Sequence, residues 1–452
     1  MKILVTGGAG YVGSVTTHLL CNDNHNVIVF DNLERGYKKA VDKRARLVKG
    51  DLRNPDDINR VIVEENPDAV IHFAAYIEVG ESMKNPKLFK ENNVGGTINL
   101  INALKKSNCK KMIFSSTCAV YGTPETIPMN EDLPHNPISV YAKNKSECES
   151  LLTQAANLYD FECVFLRYFN ACGATQNYGE AHIPETHLIP LVLQVALNKR
   201  DKIFIYGDNY ETDDGTCVRD YIHIEDLAQA HILSLKEGIS GAFNLGNGTG
   251  FSVKEVIDVC RKITNHPIPV EVAKKRDGDA SILIADAAKA YDQLGWKPKY
   301  PELESIILSA WKWHQKNPNG YSDYEDYKNQ LCQRMIKSVY THCPYLKDKI
   351  SYYELSTPLS TKTLANYKFG ELYGIDHDPE RFNQKWLKPK TPIKNPSIPA
   401  IIFNLATLLL FTDPPYKIFI DLLPNLLFIY AIDFFKSSDF GIKPDPIDHT
   451  GS

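Results

Sequence analysis

Neither charge dominates this 452-residue chain: 51 basic against 55 acidic side chains leave a formal net charge of −4, giving no reason to expect a nucleic-acid partner. Its ten cysteines, from Cys21 to Cys343, contain no C-x-x-C pair, so neither a zinc site nor a disulfide framework is suggested and no metal is expected. Reduced, buried thiols in the cytoplasm are the plain reading. Met1 leads directly into an apolar strand and leaves no room for a signal peptide. No internal repeat is visible. The apolar stretches Ile398 to Phe411 and Ile418 to Phe435 are poor spans, since a bilayer needs about 20 residues and the second is broken by Asp421, Pro424 and Asp433. A membrane or partner contact of this tail is the most they suggest.

What is present begins at once. Lys2 to Thr6 is a short apolar strand that runs into Gly7-Gly-Ala-Gly10-Tyr11-Val12-Gly13 and then an apolar-periodic segment, the order needed to set a pyrophosphate on a helix N-terminus. A second strand, Asn26 to Phe30, ends at Asp31, whose carboxylate suits ribose hydroxyls and repels a 2′-phosphate, favouring NAD over NADP. Gly246 to Gly250 also follows an apolar run, but reads as a turn.

Strand-like runs (Val27 to Phe30, Ala69 to Phe73, Lys111 to Ser115, Cys163 to Arg167) alternate with helical periodicity at Pro55 to Glu65, Asn93 to Lys106 and Tyr141 to Tyr159. This alternation predicts an α/β fold: a Rossmann-type doubly wound parallel sheet over residues 1–170, to which parts of 224–250 are candidates to return. Shorter elements over 171–321 predict a smaller lobe covering the carboxyl edge of the sheet, with the substrate pocket between the lobes. Beyond 321 an irregular C-terminal extension is expected.

Tyr141-Ala-Lys-Asn-Lys145 puts a phenol and an ammonium on one helix face, directly after a strand that ends in the hydroxyls Ser115, Ser116 and Thr117. Thr117, Tyr141 and Lys145 thus form a candidate proton-transfer group. A free tyrosine titrates near about 10, so a base working at neutrality needs roughly 4 kcal/mol. One cation at about 4 Å, at an effective dielectric of about 20, supplies on the order of 4 kcal/mol, so Lys145 is sufficient in magnitude.

These motifs, with Asp31-Asn32-Leu33, Gly50-Asp51-Leu52, Phe73 to Ser82, Arg167 to Asn170 and Val218 to His223, resemble those of the extended short-chain dehydrogenases and, within them, the UDP-galactose 4-epimerases. The resemblance covers residues 1 to about 321. It implies that Tyr141 is the base at the sugar 4-hydroxyl, that Thr117 bonds the same oxygen and that Lys145 binds the nicotinamide ribose. Gly7, Gly10, Tyr11, Val12, Gly13, Asp31, Asn32, Asp51, Leu52, Phe73, Ala74, Asn92, Ser115 and Tyr168 would complete the NAD site. Asn170, Leu188, Tyr206, Arg219, Arg276, Asp279 and Leu283 would join Thr117 around the UDP-sugar, arginine forks suiting a diphosphate. The implied reaction interconverts UDP-galactose and UDP-glucose through a 4-keto sugar, NAD being regenerated. A homodimer is the common state of such proteins.

Two departures stand out. Ile77 replaces a lysine that reaches the cofactor phosphates in some members, and Leu283 replaces a bulky tyrosine, leaving room for an N-acetylhexosamine. Pentose and uronic acid nucleotides also stay open. Cys118-Ala119 after Thr117 lacks the acid/base pair of a sugar-nucleotide dehydratase. A non-catalytic NAD-sensing protein should lack the Tyr141–Lys145 pair. Residues 322–394, through Tyr352 to Ser360, Gly370 to Gly374 and Trp386 to Pro392, resemble a C-terminal fragment of phytoene desaturase and retinol saturase-like flavoproteins; 395–452 is apolar and proline-broken.

Overall fold

The computed structural model describes residues 1–276, 279–321 and the single position 336. The flavoprotein-like segment 322–394 and the apolar tail 395–452 lie outside the described residues. Met1–Tyr321 forms one compact unit.

Seven parallel strands make its main sheet: β1 (Lys2–Thr6), β2 (Asn26–Asp31), β3 (Arg46–Lys49), β4 (Ala69–His72), β5 (Lys111–Thr117), β6 (Glu162–Tyr168) and, far along the chain, Gly241–Leu245. Their side chains are apolar on both faces because helices cover both, as parallel sheets require. On one face α1 (Tyr11–Asn22) buries Val15 and Leu20. On the other, α2 (Pro55–Glu65) packs with later helices through Ile58, Val61 and Ile62. Asn54 starts α2 by accepting the Asp56 N–H, with Pro55 at the first helical position, and Asn66 ends it in the left-handed region.

The short helices α3 (Val79–Lys84) and α4 (Pro86–Phe89) precede a wide π-type turn at Lys90–Gly95, and α5 (Gly96–Leu104) begins only after it. The expected helix start at Asn93 is therefore corrected by three residues. The Asn93 amide exchanges hydrogen bonds with the Tyr76 backbone (2.8 and 2.9 Å), and this fixes the distorted turn. Ser139 caps α6 (Val140–Tyr159), which covers the same sheet face through Cys148 and Leu152.

After β7 (Asn170–Cys172) come α7 (Leu188–Ala196), β8 (Ile203–Tyr206), β9 (Val218–His223) and α8 (Ile224–Leu233), which returns to pack on α1. Gly241–Leu245 is β10; its pairing with β6 gives the sheet order β3-β2-β1-β4-β5-β6-β10. The remaining elements are β11 (Gly250–Ser252), α9 (Val253–Thr264), β12 (Val270–Ala273), β13 (Ile282–Leu283) and α10 (Leu303–Lys316). Ser252 and Glu255 form a capping box on α9. A separate apolar cluster joins α7, α9, α10 and β8 through Val192, Ile257, Ile307 and Ile205. No helix among the described residues is long and apolar enough to cross a membrane.

Candidate active site

The order of the sheet reverses between β1 and β4, so the loops that follow these strands diverge and open a crevice at the carboxyl edge. Gly7 turns the chain there at φ +72°, and a side chain on it would strike the Ala74 backbone at 2.5 Å. Gly13 lies so close to the loop that a Cβ would sit 2.3 Å from the Gly7 carbonyl oxygen. Gly10 is the N-cap of α1 without a side-chain cap, leaving helix N–H groups for an anion. Tyr11 is buried and donates to the Gly173 carbonyl at 2.6 Å, while Val12 packs partly against the core.

Asp31 ends β2 with one carboxylate oxygen accepting from Ala9 N (3.0 Å) and the other from Leu33 N (2.8 Å). Burial pushes its carboxyl up from the ordinary value, against the pull of those two bonds. Asn32 donates to Asp51 at 3.1 Å, and the Arg53 guanidinium draws Asp51 down to about 2, keeping it ionised. Leu52 is buried in the core, and its carbonyl accepts from Asn99. The Phe73 ring meets the His231 ring at a 45° tilt, with centroids 4.7 Å apart. Ala74 N bonds the Thr6 carbonyl, and Asn92 sits in the wide turn with its amide on Asn93.

At the end of β5 the proton-transfer candidates converge. Thr117 ends β5 and Tyr141 lies in the first turn of α6, near enough for the Thr117 hydroxyl to act on the phenol. Lys145, 3% exposed, donates to the Ser115 carbonyl at 2.6 Å and lies over the Phe114 ring. Tyr168 donates to the Ser115 hydroxyl. Burial pushes Tyr141 well above its ordinary value, with the Cys118 thiol adding to it and Thr117 pulling it down. The same burial lowers Lys145 to about 8.

Of the substrate-side residues, Asn170, Arg219, Asp279 and Leu283 meet at β9. Asn170 donates to the Asp220 carbonyl at 2.9 Å. Arg219 is opposite Leu283 in the β9–β13 register, and its guanidinium lies 3.6 Å from Asp279. The Arg276 guanidinium sits 3.8 Å over the ring of Tyr206, which is 40% exposed. Leu188 opens α7. Leu283 packs on the cluster containing Cys118, the neighbour of Thr117.

Sequence reasoning missed three supports. The Ser82 hydroxyl accepts the Tyr141 N–H at 3.2 Å, fixing the start of α6. Glu149, one turn beyond Lys145, is buried against Arg167 at 2.6 Å and Ser116. Asp220 accepts three backbone N–H bonds, from Asn247, Gly248 and Ala285. Ser82 lay inside a quoted motif, and Glu149 at helical spacing from Lys145 was the available signal.

A family model described as the NAD dependent epimerase/dehydratase family matches residues 3–246. The chain belongs to that family, whose model takes in the glycine loop, the proton-transfer group and the returning strand β10. More particularly, it is 49% identical over 328 residues to the UDP-glucose 4-epimerase of Halalkalibacterium halodurans, covering 71% of this chain and 98% of the relative. The crystal structure of UDP-glucose 4-epimerase from Bifidobacterium longum in complex with NAD+ and UDP is 37% identical, with a TM-score of 0.68, over 71% of this chain and 100% of that one. The UDP-Glc/GlcNAc 4-epimerase of Campylobacter jejuni is 41% identical, with a TM-score of 0.62, over 70% and 99%. The flavoprotein resemblance of residues 322–394 finds no support in these matches.

Proposed function

We propose that this chain is an NAD-dependent epimerase interconverting UDP-glucose and UDP-galactose. The observation that carries the reading is the convergence of Thr117, at the end of β5, with Tyr141 and Lys145 of α6, where Lys145 donates to the Ser115 carbonyl at 2.6 Å. The residues present suit the dinucleotide. Uncapped N–H groups at α1 take its phosphates, and Asp31, held in place by Ala9 and Leu33, takes a ribose. When bound, NAD supplies an acceptor for hydride from sugar C4 and returns it to the other face. Tyr141 accepts the proton of the 4-hydroxyl and gives it back, while Thr117 bonds that oxygen and Lys145 holds the nicotinamide ribose. Asn170, Arg219 and Arg276 receive the diphosphate, and Leu188 and Tyr206 flank the base.

Residues 1–170 with β10 constitute the cofactor part, and 171–321 mainly the UDP-sugar part. We assign the protein to the cytoplasm, in keeping with eight buried free cysteines among the described residues. A homodimer through α5 and α6 is the expected assembly. Leu283, smaller than the tyrosine that some members carry there, favours a second substrate class, the N-acetylated UDP-hexosamines.

Denaturing the purified protein should release NAD, and UDP-galactose should be converted with no NAD added. Retained NAD without conversion would instead point to a cofactor-sensing protein. Tyr141→Phe should keep the cofactor and lose about 10²-fold or more in turnover. Absence of UDP-GlcNAc epimerisation would remove the second class.

A further inference from the structure

The connection between β7 and α7 carries Glu180, His182 and His187, spaced E-x-H-x4-H, a donor set without a thiol. We propose that these three side chains bind one divalent transition-metal ion, zinc by choice, which fastens this connection in place.

Their ligand atoms all lie within 4.8 Å of one another. The Glu180 side chain is 5% exposed, with His182 Nδ1 2.5 Å from one carboxylate oxygen and His187 Nδ1 3.9 Å from the other. In a tetrahedral site with bonds of about 2.0–2.2 Å, ligand atoms stand roughly 3.3–3.6 Å apart. The observed separations bracket that range, so an ion enters if the 2.5 Å contact opens by about 1 Å. Glu180 and His187 also line a cavity of about 10 Å³, close to the volume of one water-sized sphere. Glu185, whose side chain is 6% exposed, is 2.8 Å from His187 Nδ1 and holds that imidazole, and water would fill the fourth position. Two imidazoles with a carboxylate select zinc over magnesium or calcium, which take oxygen ligands.

The position gives the ion a structural task. The 173–187 connection meets the cofactor part through Tyr11 to the Gly173 carbonyl (2.6 Å), Tyr37 to the Ala181 carbonyl (3.0 Å) and Arg35 to the Ile183 carbonyl (3.4 Å). Tyr11 belongs to the phosphate turn, and His187 is the N-cap of α7 directly before Leu188. An ion at Glu180 therefore ties the entry of α7 to the segment that rests on the phosphate turn and the loop after Asp31. The inference is independent of which sugar is turned over.

The test uses the full chain stripped with a chelator, dialysed and titrated with zinc chloride. One equivalent should bind, and at a hundredfold excess over Kd the unfolding midpoint should rise by about 5 °C. His182→Gln with His187→Gln should abolish both effects, and Glu180→Gln should weaken binding about tenfold or more. Failure to retain one equivalent overturns the proposal, as does stoichiometric zinc that survives the double substitution. Should the double variant not fold, cobalt(II) chloride on the unaltered chain decides. A four-coordinate visible spectrum without a thiolate charge-transfer band supports the site, whereas a thiolate band puts the metal on cysteines and overturns it.

Discussion

Tyr141 is pulled in two directions, and the balance locates its helper. Burial favours the neutral phenol, while the neighbouring Thr117 hydroxyl favours the phenolate, to which it can donate. A hydrogen bond to a charged group contributes about 1.5–3 kcal/mol, or roughly one to two pH units. The base form is required for turnover, so the rate falls as pH drops through the phenol's pKa in the complex. Thr117→Val removes this donor, and the acidic limb of the kcat profile should move up by about one to two pH units. An unmoved limb would mean that Thr117 serves only to position the sugar. At this scale the four-residue Tyr–Lys spacing was legible because it has a fixed geometric meaning on a helix. Where the ammonium points was not. Lys145 turns to the Ser115 carbonyl, a backbone acceptor that no side-chain pattern announces.

Among the elements, β9 shows what polar side chains conceal. Val218-Arg-Asp-Tyr-Ile-His223 stood out as a motif, yet its charges blur the alternation that marks a strand. The structure resolves this: Asp220 points into a nest of three N–H groups and joins β9 to the turn at Asn247–Gly248 and to Ala285 beyond β13. Burial nonetheless raises its carboxyl from 3.8 to about 6. A folded-state pKa above the unfolded one means that the folded chain holds the proton more tightly. Its stabilising contribution is present in full below 3.8 and is lost as pH rises through about 6, to a total of about 3 kcal/mol. Asp220→Asn abolishes this titration but sets an amide N–H against a backbone N–H, costing about 1–3 kcal/mol. Urea unfolding at several pH values between 4 and 7 should therefore show a shallower fall with pH in the variant than in the parent. Parallel slopes would show that the three donors already hold Asp220 at its unfolded-state pKa.

For the molecule as a whole, alternation of strands and helices made the doubly wound sheet legible, and the return of a segment within 224–250 was expected, but not which strand it would pair with. β10 is separated from β6 by more than seventy residues, and pairing at that distance leaves no local mark in the sequence. The boundary near residue 321 was legible as a change of character, and packing explains why it falls there. The Tyr321 hydroxyl accepts the Gly179 N–H at 3.0 Å, and its ring meets Trp313 and Tyr37 at 5.5 and 5.6 Å. Trp313, 2% exposed, in turn lies so close to Gly179 that a Cβ there would touch the indole at 2.4 Å. Tyr321 thus latches α10 and the Gly179 segment over the loop that follows Asp31. The apolar clusters among the described residues are built from residues 1–321. A chain cut after Tyr321 should fold and retain turnover within about twofold, since surface changes away from packed features have small effects. A cut after Lys316 should lose the latch and with it about 3–5 kcal/mol, the range for truncating a buried aromatic residue. Thermal unfolding and UDP-galactose turnover of the two truncations would separate these outcomes. If the longer one lacks soluble, active protein, residues 322–452 are part of the folding unit.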